Sequence, residues 1–389
     1  MTQPRGWSSG RIVGLDMARW FALVGMIATH ALVTTGPDGH PTLVQSMAGG
    51  RSAALFAVLA GVSMALMSGG PQPARGRDLR GLAAGFLVRA GLITAIGMLI
   101  AEFGSTIAII LGYYGLLFAL GIPFLRLRAG ALAVLAAIWA VAAPALSLWV
   151  RPMLSAPDIS SPHFSDLFRP LELITALALT GWYPAFTWLA YLLLGLAIGR
   201  TAVDRLRTAV VLVGAGTLLA TAATAASSWL LSLPGATAEL AATLTDPPGR
   251  ATLTSTLELG ASGVVPTGSA WWLAVDAPHS GTTLDLAQTG GSAMAVIGAC
   301  LLVARLAPRV LAVVFGAGAM SLSLYTLHVI LRSPDLLADD SPGTFWLHVV
   351  IVTVIGAWFR FADRSGPLER VVAKASRGAR RRVLTHGRM

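Results

Sequence analysis

Charged side chains and cysteine are both scarce in this sequence. Aspartate, glutamate, lysine and arginine make up only 12% of its 389 residues, whereas about a quarter of the residues in ordinary soluble domains are charged. The single cysteine, Cys300, permits no internal disulfide and supplies neither a cysteine metal cluster nor a redox pair. These shortages argue against an ordinary soluble domain and exclude a fold held together by internal disulfides.

Several nucleotide and metal motifs are also missing. The sequence contains no Walker loop, no G-x-G-x-x-G after a strand, and no H-E-x-x-H. ATP-driven transport, a dinucleotide-binding fold and zincin chemistry therefore lose their simplest sequence support. We expect no bound metal.

Long apolar runs take the place of the missing charge. Hydrophobic residues form 55% of the chain, and runs of about eighteen or more, each long enough to cross a bilayer, recur from end to end. We therefore predict an all-α protein, a polytopic integral membrane helix bundle of about ten transmembrane helices. The predicted spans are 12–35, 48–68, 81–101, 105–125, 130–150, 172–199, 208–232, 284–304, 310–331 and 344–361.

Two of these runs need comment. The first is too long and too polar for a cleaved signal peptide, so we expect it to be retained as a span. The sixth is interrupted by Gly181 and Pro184. This break leaves open an eleventh element, in which a short interfacial helix precedes the span.

The positive charge is distributed as in a membrane protein. A net charge of +10 could indicate a nucleic-acid partner, but the arginines gather at alternate ends of the apolar runs and in the tail. That alternation follows the positive-inside rule and places both termini in the cytoplasm. We expect the tail to meet anionic lipid headgroups, and no nucleic acid to bind. The predicted organisation is a cytoplasmic N-terminus (1–11), a transmembrane domain (12–361) and a basic cytoplasmic tail (362–389).

The first predicted span carries an unusual stripe of ionisable side chains. Such groups cost several kcal/mol in hydrocarbon unless they are paired or hydrated. Arg19 and His30, eleven residues apart, lie within about 20° of each other on a helix, and Asp16 is one turn from Arg19. His40 follows in the next loop. The stripe should face protein, water or a ligand.

Other polar residues extend this inventory. Arg51 and Arg89 fall in or beside predicted spans, and His279 and His328 lie in later segments. A neutral imidazole can take a proton from a hydroxyl or amine near pH 7, and arginines in a cavity can hold phosphate or carboxylate. Together they fit a membrane enzyme with a charged, nucleotide-linked donor, but they also fit a proton-coupled transporter.

Five stretches together resemble a known family. Its members are the bacterial relatives of heparan-α-glucosaminide N-acetyltransferase, within the transmembrane acyltransferase superfamily. The stretches are R-I-x-G-L-D-x-A-R-x-x-A-L-x-G-M from residue 11, LFAVLAGVSMAL (55–66), GWYPAFTWLAYLLLGLAIGR (181–200), PHSGT (278–282) and MSLSLYTLHVIL (320–331). The resemblance extends from about residue 11 to 331.

The resemblance implies a bundle of ten or eleven helices with an acetyl-CoA channel. An acyl group would pass from a cytosolic donor to an acceptor on the other side. The lysosomal enzyme uses a loop histidine after its first span, and counting back from Gly61 puts that position at His40. The family's conserved polar position at the end of the first span falls on His30. The chain departs from the family at Trp20, usually glycine, and around Gly50–Arg51, where the family has an acidic residue.

We therefore expect an integral membrane acyltransferase that uses acetyl-CoA or a similar acyl-CoA. The acceptor would be an amine or hydroxyl of an envelope sugar or lipid, and the location the bacterial inner membrane, with a homodimer left open. The expected site residues are His40 or His30 as catalytic base, Asp16, Arg19 and Arg89 for the donor, and Arg51 and His279 for the acceptor. The alternative function is a proton-coupled transporter or flippase of a polar or lipid-linked substrate; a third is a non-catalytic scaffold.

Each candidate also has a purely structural interpretation. His40 lies in the turn-forming sequence GPDGHP and could be an exposed loop residue. Asp16 and Arg19 could form an ion pair that locks the first helix, and Arg51 could extend to the headgroups. Arg89 lies about two turns inside its span, which favours a ligand or an acidic partner. His328 is expected to hydrogen-bond within the bundle.

Overall fold

A computed structural model describes residues 11–155, 159, 161–244 and 253–386. The predicted N-terminal segment up to residue 10, the loop aspartate Asp158 and the last three residues lie outside the described residues. The described chain is helical throughout, and its only β pairing is a single antiparallel bridge between Thr35 and Pro41. The helical fold class predicted from the apolar runs is confirmed.

The helices follow one another with short connections over the first half of the chain. They are α1 (Val13–Ala31), α2 (Leu43–Ala48), α3 (Arg51–Met67), α4 (Gly76–Ala101), α5 (Leu111–Gly121), α6 (Ala129–Val150), α7 (Pro170–Thr175) and α8 (Ala185–Gly199). A 3₁₀ turn, Ile122–Arg126, extends α5, and a π turn, Ala176–Thr180, extends α7.

The second half adds the longer loops and the tail. Its helices are α9 (Leu206–Leu231), α10 (Ala236–Ala242), α11 (Leu253–Leu259), α12 (Thr283–Val303), α13 (Pro308–Val314), α14 (Ser321–Leu331), α15 (Pro342–Phe361) and α16 (Pro367–His386). A 3₁₀ turn, Gly316–Met320, joins α13 to α14.

Helices occupy all ten of the predicted spans. Among the described residues, six helices are long and apolar enough to cross a membrane, or eight if each of two bent pairs is one span. The chain is therefore a multi-pass membrane protein. The number of ten crossings and the cytoplasmic termini stay predictions.

The break predicted near Gly181 and Pro184 is present. The segment Pro170–Thr180 meets Ala185–Gly199 at 54°, because proline cannot donate the next helical hydrogen bond. A second bend, of 58°, lies between Pro308–Val314 and Gly316–Leu331, and the apolar pattern of the sequence does not predict it.

Glycines allow the central helices to approach closely. A Cβ placed on Gly14 of α1 would lie 2.7 Å from the Cα of Leu301 in α12. A Cβ placed on Gly195 of α8 would clash with the carbonyl of Val58 in α3. Small residues at helix crossings bring backbones into van der Waals contact, which is the main attractive term between helices in lipid. α1 thereby lies inside the bundle, where its polar stripe is shielded from lipid.

Arg200 is a buried structural residue that joins α8 to the end of α3. The sequence places it among the arginines that set topology, yet it is 3% exposed at the end of α8. Its guanidinium donates to the carbonyls of Ala65 (2.7 Å) and Gly70 (2.8 Å) and to the hydroxyl of Ser68 (2.8 Å). It thus ties the end of α3 and the turn that follows it to α8.

The segment around the Trp271–Trp272 pair is ordered. Trp272 is fully buried, its indole N–H donates to Thr243 at 2.9 Å, and it packs with Leu240 and Val265. The ring of Trp272 therefore belongs to a small core of its own and is not available to anchor at the membrane interface.

Candidate functional site

A cavity of about 510 Å³ opens between α1, α3, α4, α5, α14 and α16. Five arginines line it, against two carboxylates, and its volume lies within the range of small-molecule sites. The arginines are Arg11, Arg19, Arg89, Arg370 and Arg377, and the carboxylates are those of Asp16 and Glu369. The end of the bundle that carries Arg11 and α16 is called the basic end below.

All three residues predicted for the donor line this cavity. Arg19 donates to Asp16 at 2.6 Å and to the hydroxyl of Ser63 at 2.8 Å. Ser63 in turn donates to the carbonyl of Leu59 at 2.7 Å. Asp16 and Arg19 form the predicted ion pair, and the contact with Ser63 fixes the guanidinium plane at the cavity wall.

Arg89 is the least constrained of the three. It is half-buried in α4 and lines the cavity, and no described carboxylate lies within 4.0 Å of its guanidinium. A half-buried cation without an ion-pair partner is free to bind an anionic ligand. The sequence favours a ligand or an acidic partner for Arg89, and Glu369, which lines the same cavity, is a carboxylate whose charge acts on it. A ligand for Arg89 stays a prediction.

Aromatic and apolar side chains line the far end of the cavity. Tyr114 of α5 and Tyr325 of α14 both line it. Their hydroxyls are engaged, since Tyr114 donates to the carbonyl of Ala53 at 3.1 Å and Tyr325 accepts from the N–H of Ile110 at 3.4 Å. The cavity thus changes from arginine-rich at the basic end to largely apolar at its far end.

A chain of three histidines lies one helical turn beyond that far end. Met26 and Tyr325 line the cavity, and His30 and His328 follow them on the same helices. His30 Nδ1 is 3.1 Å from His328 Nε2, and His328 Nδ1 is 2.8 Å from His348 Nδ1. His328 and His348 have no exposed surface, which confirms that His328 hydrogen-bonds within the bundle.

The chain restricts where protons can sit. Three neutral imidazoles carry three N–H protons, and each of the two nitrogen–nitrogen contacts needs one. The third proton is then on His30 Nε2 or on His348 Nε2, the latter being buried without a partner. With the proton on His348, the Nε2 of His30 presents a lone pair and can act as a base.

His279 lies at the opposite end of the bundle, against the start of α3. Its ring contacts Trp182 and Tyr183, with centroids 6.2 and 5.6 Å away, and a Cβ on Gly50 would come within 3.2 Å of its backbone nitrogen. Burial lowers the pKa of His279 to about 4, so the imidazole is neutral at pH 7. Its Nδ1 is buried without a partner.

The carboxyl group of Asp285 and the guanidinium group of Arg51 also lie at this opposite end. Asp285, in the first turn of α12, accepts from the N–H of Gly281 at 2.9 Å, and its other oxygen is buried without a partner. Arg51, at the start of α3, donates to the carbonyl of Ser46 at 2.6 Å. Both residues predicted for the acceptor therefore lie at this end, where unpaired polar atoms remain to be satisfied.

His40 lies apart from the cavity, in the loop between α1 and α2. Its side chain is 63% exposed, and its Nδ1 is 2.8 Å from a carboxylate oxygen of Glu258. This hydrogen bond raises the pKa of His40 and leaves Nε2 unengaged. A histidine whose Nδ1–H is held by a carboxylate is oriented for base chemistry at Nε2.

The structure thus places the residues predicted for the donor, for the acceptor and for base catalysis in different parts of the molecule. Asp16, Arg19 and Arg89 share the cavity, Arg51 and His279 lie at the opposite end, and the two predicted bases are apart from each other.

Sequence reasoning missed Ser63, Asp285, Glu258, His348 and the arginines of α16. Asp285 and His348 carried a usable signal, since each is an ionisable residue inside an apolar run.

Comparison with known proteins supports one family. The family model described as "Heparan-alpha-glucosaminide N-acetyltransferase, catalytic" matches residues 11–233, which is more than half of the chain. The match includes the cavity-lining parts of α1, α3 and α4 and confirms the resemblance seen in the sequence. The PHSGT and MSLSLYTLHVIL stretches lie beyond it. No curated protein matches the chain.

Proposed function

Since the chain belongs to the heparan-α-glucosaminide N-acetyltransferase family, we propose that it is a membrane acyltransferase with acyl-CoA as its donor. The acyl group, acetyl or longer, would pass to an amine or hydroxyl of an envelope sugar or lipid. We place the enzyme in the bacterial inner membrane, with the basic end toward the cytoplasm. One observation carries this proposal: arginines line the cavity at the basic end, apolar side chains and tyrosines line it further in, and buried histidines follow one helical turn beyond.

The cavity suits the two halves of an acyl-CoA. Arg19 and Arg89 supply positive charge for its phosphates, and guanidinium groups bind phosphate through paired hydrogen bonds. The apolar far end, with Tyr114 and Tyr325, suits the pantetheine arm and the acyl group. The thioester would then point away from the basic end and toward the histidines.

We propose His40 as the general base, with His30 as the alternative. Two observations support His40: its Nδ1 is hydrogen-bonded to Glu258, and it falls at the position of the catalytic loop histidine in the family. In the described conformation His40 does not line the cavity, so this role requires its loop to approach the acyl group when the acceptor binds. His30 is supported by its position one helical turn beyond the cavity. Attack requires the reacting atoms to be about 3–3.5 Å apart.

The proposed step balances without a further reactant. The acceptor's nitrogen or oxygen attacks the thioester carbonyl and loses its proton to the imidazole Nε2. The carbon–sulfur bond breaks as the new carbon–nitrogen or carbon–oxygen bond forms. The imidazole then returns the proton to the departing thiolate, which gives free CoA and the acylated acceptor. Arg51 and His279 would position the acceptor.

Purified protein with radiolabelled acetyl-CoA tests the proposal. We expect transfer of label to an amino-sugar or lipid acceptor by the wild type, and we expect His40→Ala to lower kcat by about 10²- to 10⁴-fold, the usual contribution of general acid–base catalysis. His163→Ala is the matched control, because His163 is a half-exposed loop histidine outside the cavity.

The other outcomes assign the alternatives. A loss confined to His30→Ala makes His30 the base. Label that enters liposomes without thioester cleavage indicates a transporter. Neither binding nor cleavage of acetyl-CoA contradicts the proposed function.

A further inference from the structure

The basic tail contains a helix that packs on the bundle along its length. α16 runs over Pro367–His386 and lies against α4, where two glycines make room for it. A Cβ on Gly81 would lie 3.1 Å from Cγ of Arg380, and a Cβ on Gly85 would lie 3.1 Å from the carbonyl oxygen of Ser376. Such close approach requires small residues on the receiving helix. α16 is therefore part of the folded domain.

Hydrogen bonds fix both ends of α16. At its start, Glu369 accepts from the backbone N–H of Ser323 at 3.1 Å, and Ser323 Oγ accepts from the N–H of Leu368 at 3.1 Å. Near its end, Arg77 of α4 donates to the carbonyl of Leu384 at 2.9 Å. These contacts set the rotation of the helix about its axis, and so decide which face meets the cavity.

The face that meets the cavity is basic. Glu369, Arg370, Ala373 and Arg377 line it, and their spacing places them along one side of a helix. Arg370 and Arg377 are two turns apart, roughly 10 Å along the axis. They can therefore contact two separate anionic groups of one ligand.

The carboxylates of the cavity do not cancel this charge. Asp16 pairs with Arg19 at 2.6 Å and with Arg11 at 3.9 Å, and Glu369 keeps its negative charge while it accepts from Ser323. The five arginines that line the cavity still outnumber these two carboxylates. Arg370 donates only to the backbone carbonyl of Ser365, at 3.1 Å, among described residues. The mouth formed by Arg11, Arg370 and Arg377 thus keeps an excess of positive charge, continuous with Arg19 and Arg89 further in.

From this arrangement we propose that α16 is the phosphate-binding wall of the donor site. Arg370 and Arg377, together with Arg11, bind the phosphates of the nucleotide end of a CoA thioester. The inference rests on the proposed function for the identity of the ligand. Both side chains are exposed at the mouth, but they line a cavity that leads to Arg19 and Arg89, and this favours a ligand of the cavity over a lipid headgroup.

Calorimetry on the full-length protein in detergent tests the proposal with two ligands. One is CoA, and the other is pantetheine, which keeps the thiol arm but has no phosphate. We expect Arg370→Ala and Arg377→Ala each to weaken CoA binding about tenfold and to leave pantetheine binding unchanged. Arg381→Ala is the control, because Arg381 is exposed on the same helix, as Arg370 and Arg377 are, but does not line the cavity.

Each remaining result has one meaning. CoA binding equal to that of the wild type in both variants overturns the proposal, and loss of binding to anionic vesicles alone would assign the arginines to lipid. Equal weakening of CoA and pantetheine also overturns it, since the helix would then act only through the fold.

The test separates this proposal from the proposed function. Arginine-dependent CoA binding without acyl transfer would refute the acyltransferase and keep the phosphate site. Acyl transfer that is unchanged by substitution of either arginine would refute the phosphate site and keep the acyltransferase.

Discussion

Single side chains in this protein gain their chemistry from partners far away in the sequence. In the sequence His40 is an ordinary loop residue. In the fold, Glu258, 218 positions later, accepts a hydrogen bond from its Nδ1. His30 likewise meets His328 across 298 positions. In each case the partner decides which nitrogen carries a proton, and therefore which nitrogen can accept one.

Removing the carboxylate beside His40 tests its role as a base. Glu258 raises the pKa of His40, because it stabilises the imidazolium. Glu258→Gln should lower that pKa toward its ordinary value, so the neutral base form persists to lower pH. We expect the acidic limb of the kcat/KM–pH profile to move to lower pH.

The control for this measurement is Glu172→Gln, which removes an exposed carboxylate paired with Arg169. Its profile should match that of the wild type. An acidic limb that stays in place in the Glu258 variant would mean that His40 does not titrate in the rate-limiting step, and would point to His30.

Helices in this bundle are held by close approach at glycines. α3 and α8 cross where Gly61 and Gly195 meet, so that the backbone of one helix touches that of the other. Both helices bear on the candidate site. Ser63 of α3 lines the cavity, and α8 begins just after Trp182 and Tyr183, whose rings contact His279. Loosening this crossing should therefore affect stability and binding together.

A single methyl group tests this crossing. Gly195→Ala places a Cβ against the carbonyl of Val58, so the helices must separate and lose dispersion contacts. We expect the thermal transition in detergent to fall by several degrees, as a destabilisation of about 1–3 kcal/mol from overpacking would give. Gly214→Ala is the control.

Gly214 lies in α9 with nothing within 4 Å of a built Cβ. Alanine favours helix over glycine by about 1 kcal/mol, so this variant should be as stable as the wild type or slightly more so. Equal transitions for the two variants would show that the α3–α8 approach contributes nothing to stability.

For the whole molecule, the distribution of arginine predicts an orientation. The basic end carries α16 and the mouth of the cavity, and the positive-inside rule places arginine-rich ends in the cytoplasm. Acyl-CoA is a cytoplasmic metabolite, so orientation and donor supply agree in the proposed function. His40 and Asp38 would then face outward.

Cysteine labelling in intact cells tests the orientation. In a Cys300→Ser background, Asp38→Cys should react with a membrane-impermeant maleimide before lysis, because it lies in the exposed α1–α2 loop. Gly378→Cys, exposed on α16, should react only after lysis. The reverse pattern would invert the molecule and remove the cytoplasmic donor from the cavity.

The sequence alone determined the class of fold and the positions of the helices. Apolar runs must be about as long as the bilayer is thick, and their backbone groups must bond within the run, so composition fixes the helices locally. The cost of burying charge likewise identified Asp16, Arg19 and Arg89 as residues that need a cavity, and all three line one.

Tertiary structure alone decided how those helices combine. The three-histidine chain, the His40–Glu258 pair and the docking of α16 all join segments that are distant in sequence. No local pattern encodes such contacts, because they depend on helix rotation and on which small residues permit close approach. The tail was therefore predicted only as a basic segment, whereas packing on α4 makes it a wall of the cavity.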